Sequence, residues 1–315
     1  MIEKARRVTA PFTCPSSGHG ACSYMKKIII TSLFACAVIL SYFYGLLSHK
    51  YVLPPFPQIL SLKDHLLPLT IGFRDTAGRT EVPCGDTSDG RTMVALVFGQ
   101  SNSGNHGETL YAPKRAVLNF FEGRCYRAVD PLLGATGDGG SVWSRLGDLL
   151  IDAGLYERVI FIPIGVGTTT IEEWTRGGYL HRRITNAIVQ SRSSGLTITH
   201  LFWVQGGSEP RTGGRANTER YKKNFTAMVR SIRGHGVTAP IYLAVATYCD
   251  TGPIPDIQAA LRELADPKDN IFIGADNDTF YKDPANTWEK VHLSHRGLDL
   301  AARAWVDVLR RGGRK

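Results

Sequence analysis

The chain has 315 residues, of which 43% are hydrophobic and 21% charged. This excludes an intrinsically disordered chain and leaves room for one large α/β domain behind a separate N-terminal segment. A formal net charge of +9 and a pI near 9.3 favour anionic surroundings such as membrane surfaces or acidic polysaccharides. They do not point to nucleic acid, because the arginines are scattered and Arg310-Arg-Gly-Gly-Arg-Lys315 reads as a solvated tail.

In chain order, the first element is an almost uncharged stretch over residues 28–47, long enough to span a bilayer. Lys4, Arg6, Arg7, Lys26 and Lys27 precede it, and only His49 and Lys50 follow closely. That asymmetry predicts a cytoplasmic segment 1–27, a signal anchor 28–47 and an extracytoplasmic remainder, periplasmic in a bacterium. A cleaved signal peptide is the competing reading, and the length of the apolar run argues against it. Met25 also reads as an alternative start. Val52-Leu-Pro-Pro-Phe-Pro57 reads as a stiff stalk, and residues 48–90 as stalk and lead-in, with a strand at 69–73 and a turn at 76–79. Of six cysteines, Cys84, Cys125 and Cys249 lie beyond the anchor. An oxidising exterior permits a disulfide, expected between Cys84 and Cys125, and no Cys-x-x-Cys or histidine cluster suggests a metal.

Residues 91–315 form the expected catalytic domain. The apolar run 94–98 reads as a buried strand that breaks sharply into Gly99-Gln-Ser-Asn102. A serine at such a break is well placed as a nucleophile, because the glycine permits the bend that exposes its hydroxyl. Further apolar runs follow at 159–164, 200–205, 241–246 and 271–274. Amphipathic stretches lie at 141–153, 179–193, 218–235, 254–265 and 294–309. Strand–helix alternation predicts a parallel sheet covered on both faces, with ligands at the carboxyl ends of its strands. Polar groups collect there: Gly99-Gln-Ser-Asn102, Gly165-Val-Gly-Thr168 with Ile171-Glu-Glu-Trp174, Trp203-Val-Gln-Gly-Gly-Ser-Glu209, and Glu289-Lys-Val-His-Leu-Ser-His-Arg-Gly297. The loop 134–141 is glycine-rich but lacks the ending of a P-loop, and reads as a flexible border of the cleft.

These four blocks, in this order over residues 92–310, resemble the SGNH hydrolase superfamily, and within it the sialate O-acetylesterase-like branch, carbohydrate esterase family six. The resemblance implies an α/β, three-layer αβα sandwich with a central parallel sheet of about five strands. It implies Ser101 as nucleophile and His292 as base. The orienting carboxylate is Glu289, where the family has aspartate, with Asp283 and Asp278 as alternatives. Oxyanion donors would be the backbone N–H groups of Ser101 and Gly167 and the side-chain amide of Gln205. Gln100 and Asn102 would fix the nucleophile loop and border the substrate, with Glu209 and Trp174 as further substrate contacts and Trp143 a second candidate for stacking on a sugar. The branch carries Gln-Gly-Glu-Ser-Asp where this chain has Gln205-Gly-Gly-Ser-Glu209, so Glu209 is expected to take over part of the missing glutamate's role. His295 reads as a surface residue, and the run Ser103-Gly-Asn-His106 receives no role.

The function implied is a membrane-anchored, extracytoplasmic serine esterase acting on acylated carbohydrate. It needs neither metal nor organic cofactor and no obligate protein partner. An O-acyltransferase on an exported polysaccharide and an inactive carbohydrate-binding envelope protein are the alternatives.

Overall fold

In a computed structural model of the chain, residues 19–51, 70–249 and 251–312 are described. The chain divides into two compact units, 1–62 and 63–315. The expected stalk at 52–57 lies outside the described residues, as do positions 1–18 of the N-terminal segment and the end of the basic tail.

In the first unit, α1 (His19–Tyr51) is one continuous helix. Its stretch Lys27–Gly45 is long and apolar enough to cross a membrane, with no side chain buried against protein.

The second unit is built on β2 (Thr92–Gly99), which is buried at every position because both its faces are covered. Val94, Leu96 and Phe98 point into one apolar cluster, and Met93, Ala95 and Val97 into the other. This is the period-two alternation of a strand between two helical layers. The first layer comprises α3 (Ile171–Trp174), α4 (His181–Ser193), α5 (Arg215–Gly234) and α6 (Pro255–Leu264). The second is α2 (Val142–Asp152) and α7 (His295–Arg310), whose Trp143 and Trp305 pack around Phe202. Each long expected helix is present. Ser141 and Ser294 act as N-caps, accepting from Trp143 N and Gly297 N.

The sheet has eight strands in the order β1-β4-β3-β5-β2-β6-β7-β8. The five expected strands are β2, β5 (Arg158–Pro163), β6 (His200–Val204), β7 (Ile241–Val245) and β8 (Ile271–Asp276). They are joined by parallel β3 (Val117–Phe121) and by an antiparallel edge of β4 (Arg124–Arg127) and β1 (Glu81–Val82). The sheet is therefore larger than the five strands expected. β3 and β4 form a hairpin around Glu122 and Gly123, both at positive φ (49° and 82°).

The lead-in also differs from expectation. No strand spans residues 70–73. Instead Phe73 exchanges backbone bonds with the 134–135 loop, donating to Ala135 O and accepting from Gly134 N, 2.8 Å each. A disulfide joins Cys84 to Cys125, and the turn at 76–79 closes from Arg79 N to Thr76 O at 3.1 Å. Residues 73–84 are thus part of the catalytic unit, which extends past the boundary expected at residue 91. A second small sheet, β9 (Thr287–Trp288) and β10 (His292–Leu293), lies just before α7.

Candidate active site

The nucleophile turn begins where β2 runs out. Gly99 has φ +125°, and a Cβ there would sit 2.2 Å from Val204 O of β6, so only glycine allows this approach. The chain then turns through a single 3-10 turn, Ser101–Ser103. Its neighbours are tied down. Gln100 N donates to Val204 O (2.9 Å), and Gln100 Oε1 accepts from Gly206 N and Ser208 N, 3.1 Å each. Ser103 Oγ donates to Gln100 O (2.6 Å), and Trp143 Nε1 donates to Ser103 O (3.0 Å). Asn105 accepts from Leu132 N and donates to Leu132 O and Ala135 O. Gln100 is therefore a loop brace, too buried to touch substrate as expected.

Two histidines lie on the serine's side of the sheet. A Cβ on Gly167 would lie 3.7 Å from Ser101 Cβ and 3.3 Å from His106 Cε1, which puts all three residues in one cluster. The His106 ring lies 5.1 Å, centroid to centroid, from that of His292. Asn102 Nδ2 donates to Tyr281 OH (2.9 Å) and Val291 O (3.4 Å), tying the serine turn to the strand that carries His292. Ser101 and His292, distant in sequence, thus share one rim of the sheet. No hydrogen bond joins them among the described residues. Such contacts in unliganded enzymes often tighten only with substrate.

The β9–β10 hairpin presents His292, the candidate base. Glu289 and Lys290 form its turn with φ 49° and 66°, a left-handed conformation costly for residues with a Cβ. Glu289 Oε2 lies 3.4 Å from His292 Nδ1, which is buried and makes no hydrogen bond. Burial pushes the His292 pKa below its ordinary value, and Glu289 opposes that shift. The alternative carboxylates are engaged elsewhere. Asp278 accepts from Thr247 N, Thr247 Oγ1, Tyr248 N and Gln258 Nε2. Asp283 caps Ala285 N and pairs with Arg296.

The expected oxyanion donors separate. Gly167 stands beside Ser101, but its N–H donates to Thr136 Oγ1 at 2.8 Å. Gln205 is fully buried, and its Nε2 donates to Thr169 O (3.0 Å) and Glu209 Oε1 (2.8 Å), so it holds the loop behind the site and offers no donor to an oxyanion. Glu209 also accepts from Ile171 N (2.7 Å) and pairs with Arg220 (3.1 Å). Burial raises its pKa. It is a buried tie and makes no substrate contact. A Cβ at Gly207 would meet Tyr248 O at 2.6 Å, which explains why the branch's glutamate has no place there. Trp174 and Trp143 are buried among Phe98, Trp203 and Phe202, so neither stacks on a substrate as expected.

Three features escaped the sequence reading. His106 bonds Thr136 Oγ1 at 3.1 Å, and burial with His292 nearby lowers its pKa to about 4. The glycine-rich loop is not a flexible border. Gly107 and Gly140 exchange backbone bonds (2.9 and 2.8 Å), and Gly139 N donates to Asn105 O (2.9 Å). Trp288, 42% exposed, sits directly across the hairpin from His292. Its only sequence signal was an aromatic residue four positions before a candidate base. His295 lies on the surface as expected, its Nδ1 3.0 Å from Thr109 Oγ1.

A serine on a sharp turn after a central parallel strand, with a histidine brought to the same rim from just before the last helix, is the arrangement that the resemblance to SGNH hydrolases implies. Residues 91–245 match the family model described as "Carbohydrate esterase, sialic acid-specific acetylesterase". That match covers just under half of the chain and makes it similar to the sialate O-acetylesterase-like branch. It is 31% identical over 90 residues to the Arabidopsis thaliana protein named "Probable carbohydrate esterase", a match covering 27% of this chain and 34% of that protein. The match thus spans about a third of the relative's length. The crystal structure of that plant protein superposes with a TM-score of 0.58 at 18% identity, covering 71% of this chain and 99% of that one, so the fold is shared. A carbohydrate acetylesterase from Xanthomonas citri aligns at 14% identity over 70% of this chain and 56% of that one, TM-score 0.45.

Proposed function

We propose that this protein is a membrane-anchored, extracytoplasmic esterase that removes acetyl or similar small acyl groups from carbohydrate. The observation that carries the reading is the meeting of Ser101, Gly167, His106 and His292 at one rim. In the proposed reaction His292 takes the Ser101 proton as Oγ attacks the ester carbonyl. The bond from that carbon to the sugar oxygen breaks, the sugar leaves with the proton from His292, and an acetyl-serine remains. Water, deprotonated by the same histidine, then releases acetate. Glu289 steadies the imidazolium, and the backbone N–H of Ser101 donates to the developing oxyanion, while the Gly167 N–H joins it only by giving up its bond to Thr136 Oγ1. Trp288 takes the sugar-stacking role expected of Trp174, since its exposed ring lies next to the base.

The apolar helix supports anchoring, the basic residues before it support a cytoplasmic N-terminus, and the Cys84–Cys125 disulfide suits an oxidising compartment. Alkaline phosphatase fused to the C-terminus of the chain should be active; a fusion active only with a cytoplasmic reporter reverses the orientation.

The enzymatic reading is tested with a fluorophosphonate probe and peptide mapping. Wild type should be labelled at Ser101. Ser101→Ala should lose labelling and on the order of 10⁴-fold in p-nitrophenyl acetate hydrolysis. Hydrolysis by Ser101→Ala at the wild-type rate removes the assignment.

A further inference from the structure

Beside Ser101 the cleft closes into a small cavity, bordered by Ser101 and His106 and walled by Gly107, Val142, Leu293 and Leu298. It leaves about 10 Å³ for the centre of a water-sized group, room for one such group. The walls cannot easily retreat. Val142 of α2, Leu293 of β10 and Leu298 of α7 are all buried in the second apolar cluster. Gly107 is already so close that a Cβ there would lie 2.7 Å from both Leu298 methyls. Behind it, Gly140 is held by its paired backbone bonds to Gly107, and a Cβ on Gly140 would lie 1.9 Å from Thr109 O.

We propose that this cavity is the acyl pocket, and that Leu298, backed by Val142 and Leu293, sets the upper limit on acyl length at a single methyl. The proposal rests on the esterase reading above and adds to it the residue that makes the enzyme select acetyl. When the Ser101 oxygen bonds the carbonyl carbon, the acyl methyl fills the cavity. A further methylene meets the Leu298 side chain, which α7 holds against the backbone of Gly107. Exclusion of one methylene from an apolar pocket is worth roughly 10–200-fold in kcat/KM.

The test compares kcat/KM for p-nitrophenyl acetate, propionate and butyrate on the full chain in detergent. The ratio between two esters does not depend on how much of a variant is folded, so it survives a destabilising substitution. Wild type should prefer acetate to butyrate by at least about 10-fold. Leu298→Val should first admit propionate, and Leu298→Ala should raise the butyrate-to-acetate ratio about 10-fold or more. A wild type that accepts all three esters equally, or both Leu298 variants keeping the wild-type ratios, overturns the pocket while leaving the esterase intact. A wild type that cleaves no ester and takes no phosphonate label overturns the esterase reading and the pocket together.

Discussion

The two halves of the site are built to different standards. The serine turn is braced on every side: Gly99 against Val204, Gln100 by Gly206 and Ser208, Ser103 by Trp143, Asn105 by Leu132. The histidine sits on a ribbon of two residue pairs, Trp288 with His292 and Thr287 with Leu293, closed by two non-glycine residues in a left-handed turn. The nucleophile inherits its position from the core of the sheet. His292 and Glu289 take theirs from a short arm with two left-handed non-glycine residues, of the kind that collects at functional sites. The difference teaches how each residue is held: the serine turn by the sheet and Trp143, the hairpin by its own two pairs and by the bonds that Val291 O accepts from Tyr281 OH and Asn102 Nδ2.

The largest effect that tests this contrast is loss of the base. His292→Ala should lower kcat/KM by about 10²–10⁴-fold with an unfolding midpoint near wild type, because the His292 ring, unlike Leu293 beside it, lies outside the apolar core. Activity near wild type would break the comparison at once. Next is the carboxylate. Glu289→Gln removes the negative charge that lies 3.4 Å from Nδ1, and kcat should fall roughly 10-fold. Glu289→Gly should lose activity to a similar degree while its stability holds or rises by up to about 1 kcal/mol, since glycine accepts φ 49° without penalty. Thermal denaturation beside the rate assay decides this; loss of both stability and activity would show that the turn is not strained. The smallest effect is a pH shift. The base must be neutral, and burial lowers the His292 pKa, so kcat/KM should rise with pH through a midpoint below the ordinary histidine value near 6.5 and then level off. Glu289 raises that pKa, so Glu289→Gln should move the acid limb to still lower pH. A shift toward higher pH would contradict the pairing.

Much of the fold was legible because burial on two faces leaves strong local marks. The uninterrupted apolar runs of β2 and β5–β8, and the amphipathic periods of the helices between them, match the observed elements closely. The edge strands β1 and β4 were not legible. Arg124-Cys-Tyr-Arg127 carries charges at both ends, and its pairing depends on partners elsewhere in the chain. Ser101, Gly167 and His292 could be picked out from the ends of apolar runs. Gln205, Glu209 and Trp174 could not be sorted into working and supporting roles, because only packing showed that they lie behind the site.

The sequence by itself determined the apolar anchor-like helix, the alternation of strands and helices, and the candidate serine and histidine at strand ends. Each depends on residue type and spacing along a few neighbouring turns. Only the tertiary structure decided that His106 stands beside His292, that Gln205 and Glu209 hold the loops, and that Leu298 closes the space beside Ser101. Those facts concern distances between side chains hundreds of atoms apart along the chain, and they exist only once the sheet has brought its carboxyl ends to one rim.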